Sequence, residues 1–255
     1  MHRGNDVCNR GQAAPAASGK DSEGSVERGS VVLGKLKPRG VNDASLNGSS
    51  RTFSGTGTGS IVNQGTINAT GSDGSGGYVA LLGNAVSNQG VITAPLGTVA
   101  LGAGSAATLT FQNNSIVKMQ VDQGVLNSLA ENGGLIRADG GNVFMSAGAK
   151  DALLASVVNN TGIIEARTVQ EHNGTIILLG GMAEGTTYVS GTLDASAPNG
   201  GNGGFSETSA AHVNSADAAV AAGAEQPPQL LGQSRRGGGL RRCVHVACSA
   251  VRVRG

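Results

Sequence analysis

Tryptophan is missing from this chain of 255 residues, and two Tyr and four Phe bring its aromatic content to only 2%. A thick core built on bulky rings is therefore excluded. Charged residues make up 14%, and no run approaches the roughly 18 apolar residues that a membrane-spanning helix requires. The opening Met1-His2-Arg3-Gly4-Asn5-Asp6 lacks the apolar stretch of a signal peptide. Cysteine occurs only as Cys8, Cys243 and Cys248, so residues 51–225 fold without disulfides or thiolate metal sites. What replaces these residues is 43 Gly. Each costs about 1 kcal/mol relative to Ala inside a helix, which disfavours helical bundles.

Charge separates the chain into three parts. Residues 51–225 hold five basic and twelve acidic residues, a balance of −7, whereas 1–50 stand at +2 and 226–255 at +6. An acidic middle repels nucleic acid. Residues 1–52 read as an irregular or out-of-frame segment. Residues 214–255 read as a disordered, Arg-rich tail, whose composition cannot offset the entropy of ordering.

Between them a frame recurs. It is Asn-x-Gly-x-Ile-x-Ala: Asn63-Gln64-Gly65-Thr66-Ile67-Asn68-Ala69, Asn88-Gln89-Gly90-Val91-Ile92-Thr93-Ala94, Asn132-Gly133-Gly134-Leu135-Ile136-Arg137-Ala138, Asn160-Thr161-Gly162-Ile163-Ile164-Glu165-Ala166 and the weaker Gly191-Thr192-Leu193-Asp194-Ala195. A second apolar strand follows each, at Val79, Val99, Val143, Ile176 and Phe205. The distance from the frame Ile or Leu is either seven or twelve residues, as if one corner accepts a fixed insertion. The spacing of 44 from Ile92 to Ile136 holds about two units, so Leu109-Thr110-Phe111 and Ile116 to Val121 are expected to form a coil without the Asn-x-Gly turn.

Repeats of this length with short alternating strands predict an all-β fold, a right-handed parallel β-helix of six or seven coils over 53–213. Alternation places Ile67, Ile92, Ile136, Ile164 and Leu193 inward, together with the frame Ala. Gly65, Gly90, Gly134 and Gly162 are expected to supply turn dihedrals closed to other residues, and Asn63, Asn88, Asn132 and Asn160 to bond their own backbone or stack between coils. Arg137 and Glu165 fall opposite each other on the outward face and are expected to pair. Two segments, 122–131 and 149–158, read as short helical insertions.

Taken in order, Val62-Asn63-Gln64-Gly65-Thr66-Ile67, Gly77-Tyr78-Val79-Ala80-Leu81-Leu82-Gly83, Leu96-Gly97-Thr98-Val99-Ala100-Leu101, Val121-Asp122-Gln123-Gly124-Val125-Leu126, Gly134-Leu135-Ile136-Arg137-Ala138-Asp139-Gly140-Gly141 and Val157-Val158-Asn159-Asn160-Thr161-Gly162 resemble the filamentous haemagglutinin family. These are large Gram-negative exoproteins, also described as haemagglutinin-like or haem-utilisation adhesins. The resemblance implies a β-helix, two-partner secretion through an outer-membrane transporter, location outside the cell or on its surface, and attachment to host or bacterial cells as a virulence trait. It also implies an upstream Asn-Pro-Asn-Gly motif. The nearest string here is Pro198-Asn199-Gly200 after Ala197, so the chain reads as a fragment without the start of the secretion domain.

Candidate chemistry is thin beside this. Gly102-Ala103-Gly104-Ser105-Ala106-Ala107 follows a strand but leads into Thr108-Leu109-Thr110-Phe111, another strand, so it reads as a corner and no phosphate cradle. Gly55 to Ser60 lacks a P-loop Lys. Cys243, His245 and Cys248 offer three ligands and no fourth. His172 and His212 stand without partners. The outward column of Arg137, Glu165 and Asp194 is the one enzymatic alternative, since β-helices also house polysaccharide lyases and hydrolases that need converging carboxylates. The reading reached is an adhesin segment with no catalytic residue, cofactor, metal, nucleic acid or small-molecule substrate; a carbohydrate-active enzyme, a spacer and a non-functional fragment are the alternatives.

Overall fold

Short strands that alternate inward and outward residues, broken by Asn-x-Gly corners, cannot bury their apolar side alone and must stack on copies of themselves. The structure, a computed structural model, describes residues 50–223 apart from 57–58, 71–75, 113–114, 125–127, 149–156, 183–184 and 216. It also describes the strands within 7–9, 29–33, 37–38 and 251–254 by their backbone. β1 (Val7–Asn9) and β2 (Gly29–Leu33) lie at one end, and β3 (Lys37–Pro38) and β4 (Ser50–Ser54) lead away from the stack. The first complete coil is β5 (Ser60–Asn63), β6 (Thr66–Asn68) and β7 (Tyr78–Gly83); the second is β8 (Ala85–Asn88), β9 (Val91–Thr93) and β10 (Thr98–Ala103). β11 (Ala106–Gln112) and β12 (Ser115–Gln123) then leave the stack as a hairpin. The third coil is β13 (Leu129–Asn132), β14 (Leu135–Arg137) and β15 (Asn142–Ala147), and the fourth is β16 (Val157–Asn160), β17 (Ile163–Glu165) and β18 (Thr175–Leu179). The fifth is β19 (Thr186–Val189), β20 (Thr192–Asp194) and β21 (Phe205–Ser209). β22 (His212–Asn214), β23 (Ala219–Ala221) and β24 (Val251–Arg254) add one further strand to each face.

Every coil contributes one strand to each of three parallel sheets. Their orders are β1-β5-β8-β13-β16-β19-β22, β6-β9-β14-β17-β20-β23 and β2-β7-β10-β15-β18-β21-β24, which will be called the first, second and third sheets. This is a parallel β-helix, and no helix occurs among the described residues. Among the described residues five coils have all three strands within 53–213, where six or seven were expected, and β22, β23 and β24 make a sixth that runs beyond that range. At about 4.8 Å per step the six span about 24 Å along the axis.

Three expectations are corrected by the strand pairing. Residues 106–123 are no coil: β11 and β12 are antiparallel, pair onward to β4 and β3, and leave β10 of the second coil directly against β15 of the third. The alternation that suggested a coil is real, but its apolar residues face a second layer. The expected helix over 122–131 is also absent, since Asp122 and Gln123 end β12 and Leu129 to Glu131 belong to β13; most of the other, 149–158, lies outside the described residues, and its last two residues are strand. In the fifth coil the residue in register with Ile176 is Ser206, and Phe205 pairs with Thr175. The insertion there is one residue longer than expected, so the ring of Phe205 is only half-buried.

Inside the coils, Ile92, Ile136 and Ile164 are fully buried, with Leu193 at 1% and Ile67 at 7% exposure toward the end. Val79, Val99, Val143 and Ile176 of the third sheet meet them in the same cluster with the frame Ala. Each fully buried aliphatic side chain contributes about 1.5–3 kcal/mol relative to exposure. Outside the third sheet lies a second core, in which Phe53, Leu109, Phe111, Ile116 and Met119 of the antiparallel layer cover Ala80, Leu82, Ala100 and Phe144. Tyr78 packs edge-on against Phe111, ring centroids 5.4 Å apart. The few aromatic residues are thus concentrated between layers, and the coil interior is filled by aliphatic residues.

The Asn-x-Gly corner works differently from expectation. None of Gly65, Gly90, Gly134 and Gly162 has a positive φ. Their need for hydrogen as a side chain comes from stacking: a Cβ on Gly90 would sit 2.1 Å from the carbonyl oxygen of Gly65, one on Gly134 2.1 Å from that of Gly90, and one on Gly162 2.2 Å from that of Gly134. Beside this glycine column the asparagines form a buried ladder. Asn63 Nδ2 donates to Asn88 Oδ1 at 2.7 Å, Asn88 to Asn132 at 2.8 Å and Asn132 to Asn160 at 2.8 Å. Backbone bonding also occurs, with Gly65 N donating to Asn63 Oδ1 at 3.3 Å. The ladder stops at the fifth coil, where Val189 stands in register with Asn160.

At the other end Asn9 stands in register with Asn63. Its sequence context, Asn9-Arg10-Gly11, repeats the Asn-x-Gly of the frame, with Ala13 and Pro15 in place of the frame Ile and Ala.

The corner between the second and third sheets accepts two lengths for a simple reason. Whether the loop is short or long, the corner closes with a glycine N–H donating to the frame Ala carbonyl: Gly97 to Ala94 at 3.0 Å and Gly141 to Ala138 at 2.8 Å when short, Gly77 to Ala69 at 3.0 Å and Gly204 to Ala195 at 2.7 Å when long. The loop between is free to vary.

Gly133 and Gly134 supply a paired test. A Cβ on Gly133 meets nothing closer than Thr161 Oγ1 at 3.6 Å. Gly134→Ala is expected to lose at least about 2 kcal/mol in urea unfolding, while Gly133→Ala stays within about 1 kcal/mol of the parent. Equal losses would refute the stacking account.

Candidate functional site

The outward residues of the second sheet form one continuous register, Asn68, Thr93, Arg137, Glu165, Asp194 and Ala221. Strand alternation turns these side chains to solvent because their neighbours Ile136, Ile164 and Leu193 are buried. Arg137, Glu165 and Asp194 therefore do share a column, as the sequence indicated. Arg137 Nε donates to Glu165 Oε2 at 2.5 Å, the expected cross-strand pair.

The structure adds a second guanidinium that the strand pattern does not reveal. Arg167 follows β17 at the start of a long corner, and its Nη2 and Nε donate to the two oxygens of Asp139 at 2.7 and 3.1 Å. Its backbone N–H reaches Asp139 Oδ1 at 3.0 Å, and Gly140 N donates to its carbonyl at 2.7 Å. Arg167 Nη2 also lies 3.6 Å from Glu165 Oε2. Asp139 sits on the short corner of the preceding coil, so the pair ties a long corner to a short one.

Burial pushes the Asp139 carboxyl upward, but the hydrogen bonds and charge of Arg167 outweigh it and hold the group below its ordinary value of 3.8. Asp139 in turn holds Arg167 protonated well above the usual range. A general acid needs a carboxyl that keeps its proton near neutral pH, and Asp139 is shifted in the opposite direction. Asp194 Oδ1 accepts the backbone N–H of Ser196 at 3.0 Å. The chemistry this arrangement performs best is stapling coils together.

A second feature lies on the first sheet. Its outward register runs Val62, Ser87, Glu131, Asn159, Tyr188 and Asn214. Tyr188 is 44% exposed while its neighbours Thr187 and Val189 are buried. With Val157, Asn159, Asn214 and Asp217 it lines an open groove of about 430 Å³. The sequence reading found no aromatic platform beside the carboxylates, and none stands on the second sheet. The signal that marks Tyr188 is the period-2 pattern of Thr186-Thr187-Tyr188-Val189, legible once the strand is known.

No family model matches this chain, and no curated protein matches it. Among solved structures it is similar to the crystal structure of the HMW1 secretion domain from Haemophilus influenzae, with a TM-score of 0.37 and 19% identity over 77% of this chain and 75% of that one. At that distance the likeness assigns no family, and the β-helix architecture rests on the strand pairing above.

The remaining sequence candidates fall into place around it. Gly104 and Ser105 form the turn from β10 into β11, so strand follows the glycine-rich string as expected. Gly55 to Ser60 joins β4 to β5, with 57–58 outside the described residues. His172 lies on an exposed corner, bridged to Val169, and His212 is exposed on β22. Cys243, His245 and Cys248 lie outside the described residues. No group of three or more metal-ligating side chains occurs among the described residues.

The Asp139–Arg167 pair has a pH signature. Because folding lowers the carboxyl below its unfolded value, its stabilisation is complete above that value and is lost as pH falls through the folded one. Acid unfolding followed from pH 5 downward is expected to be shallower in Asp139→Asn than in the parent below about pH 4, although the variant is the less stable at pH 7. Parallel curves would show that the pair does not contribute.

Proposed function

We propose that this chain is part of a secreted or surface-exposed adhesin of the filamentous haemagglutinin type from a Gram-negative bacterium. The observation that carries the reading is the ordered set of six strings from Val62 to Gly162, whose resemblance to that family extends over most of the β-helical residues. The fold supports it: a rod with repeated, shallow, mostly polar faces suits attachment by many weak contacts better than turnover in a pocket. In this reading an outer-membrane transporter of the two-partner type exports the longer protein, and the partner is a ligand on a host or bacterial surface.

The enzymatic alternative draws on Arg137, Glu165 and Asp194. Against it stands the pairing of Glu165 with two guanidinium groups and the position of Tyr188 on a different sheet. We therefore assign no catalytic residue and no cofactor.

The whole chain displayed in many copies on beads is expected to bind cell surfaces far more tightly than a single copy, with no release of reducing or unsaturated sugar ends from polysaccharides. Turnover abolished by Glu165→Gln would replace the adhesin reading with the enzymatic one. Absence of both binding and turnover would leave a spacer or a non-functional fragment.

A further inference from the structure

We infer that Asn199 is a site of spontaneous self-modification, where the Asn199-Gly200 peptide converts to aspartyl and isoaspartyl forms through a cyclic imide. The inference goes beyond the adhesin reading and does not rest on it, since it needs only one corner loop and the chemistry of its own residues.

Asparagine followed by glycine places an electrophile and a nucleophile on adjacent residues. The Gly200 backbone nitrogen, giving up its proton to solvent base, attacks Asn199 Cγ. The N–Cγ bond forms, the Cγ–Nδ2 bond breaks, and Nδ2 takes a proton from solvent and leaves as ammonia. Water then opens the imide at either carbonyl. Cleavage between Gly200 N and Cγ yields aspartate, and cleavage on the backbone side leaves the chain running through Cγ as isoaspartate. The sum is one water consumed and one ammonia released, with no change in oxidation state. Glycine is the favourable neighbour because no Cβ hinders approach to its nitrogen.

Ring closure requires the peptide to rotate, so packing decides which asparagine reacts. Among the described residues the dipeptide occurs at Asn132-Gly133, Asn173-Gly174, Asn199-Gly200 and Asn202-Gly203. All but Asn173 are followed by a second glycine, so local sequence does not separate those three. Asn132 is fully buried, its amide is held in the ladder between Asn88 and Asn160, and Gly133 N donates to Asn88 O at 2.8 Å. Asn173 and Asn202 are exposed, but the glycine after each is buried. A Cβ on Gly174 would fall on the Ala166 carbonyl and one on Gly203 on the Ala222 carbonyl. Rotation there displaces a stacked corner.

Asn199-Gly200 is free of these restraints. Both residues are exposed, and a Cβ added to Gly200 or Gly201 would meet nothing within 4 Å. The two glycines have φ of +90° and +94°, so the loop runs through dihedrals open to glycine with no neighbour packed against it. One hydrogen bond restrains the nucleophile, Gly200 N donating to Ala197 O at 3.0 Å. At the usual net worth of such a bond, opening it slows attack by at most about tenfold. Beyond the loop the corner closes through Gly204 N on Ala195 O at 2.7 Å. The extra backbone carbon of isoaspartate is therefore absorbed before the next strand begins, and the corner of the fifth coil gains a carboxylate.

The test is peptide mapping by mass spectrometry of the whole chain, aged at mildly alkaline pH with and without urea. Exchange of amide nitrogen for oxygen marks each modified asparagine, and chromatography separates the aspartyl and isoaspartyl peptides. In the native chain Asn199 is expected to convert at least about tenfold faster than Asn173 or Asn202, with Asn132 slowest of the four. In urea the rates of Asn132, Asn199 and Asn202 should converge to within about threefold, because only folding distinguishes them. Asn199→Gln, whose longer side chain closes the ring poorly, should remove conversion at that position, and the aged parent should melt with the fresh one. Conversion at Asn199 no faster than at Asn173 or Asn202, or an order among the four that urea leaves unchanged, overturns the proposal. Earlier melting of the aged parent but not of aged Asn199→Gln would overturn the claim that the loop absorbs the change.

Discussion

Backbone stacks on backbone at about 4.8 Å along the axis of this molecule, and that spacing leaves no room for certain side chains. At the corner between the first and second sheets, successive glycines lie so close that an added Cβ would come within 2.2 Å of the carbonyl oxygen below. A second glycine column marks the corner into the third sheet, where a Cβ on Gly97 would lie 1.9 Å from Gly77 O and one on Gly141 2.0 Å from Gly97 O. The same spacing suits a primary amide, whose donor and acceptor reach the neighbours above and below. Asn63, Asn88, Asn132 and Asn160 exploit this in a buried ladder. Removing an inner rung leaves two buried polar groups without their partner, a cost larger than the net worth of one hydrogen bond.

Because the stack is held rung by rung, a coil tolerates excursions that leave its rungs in place. Two long corners loop out and return to the same glycine-to-alanine hydrogen bond, and a third is tied down by Arg167 on Asp139. The largest excursion, β11 and β12, folds back with β4 over the third sheet. With it come Phe53 and Phe111, which pack between two layers together with Leu109, Ile116 and Met119, while the buried interior of the coil holds no aromatic ring. Gly102 belongs to this packing, because a Cβ there would come 2.8 Å from Leu82 Cδ2.

The three faces of the rod consequently differ. One is covered by the antiparallel layer, one carries paired charges whose partners neutralise each other, and one is a polar strip ending at an exposed tyrosine. Paired carboxylates and guanidinium groups strengthen the stack and offer little to a substrate. A shallow strip of amides around a ring offers weak contacts that become useful in numbers.

Local pattern carried most of the coil. The period-2 alternation is a property of each strand, so the inward Ile and Ala columns, the Arg137–Glu165 pair and the Asn stack could be read from spacing alone. Corners of two lengths were legible for the same reason, as counts between fixed inward positions. Two things depended on contacts between residues far apart in the chain. The alternation of 106–121 is identical whether its apolar side faces a coil interior or a neighbouring sheet, and only the pairing of β11 with β4, about 55 residues earlier, distinguishes them. The role of the frame glycines was likewise invisible, because a glycine required by a dihedral and one required by a carbonyl stacked against it look the same in sequence. Tyr188 is a third case: among the described residues no second layer pairs over the first sheet, and no residue near Tyr188 in the chain encodes that.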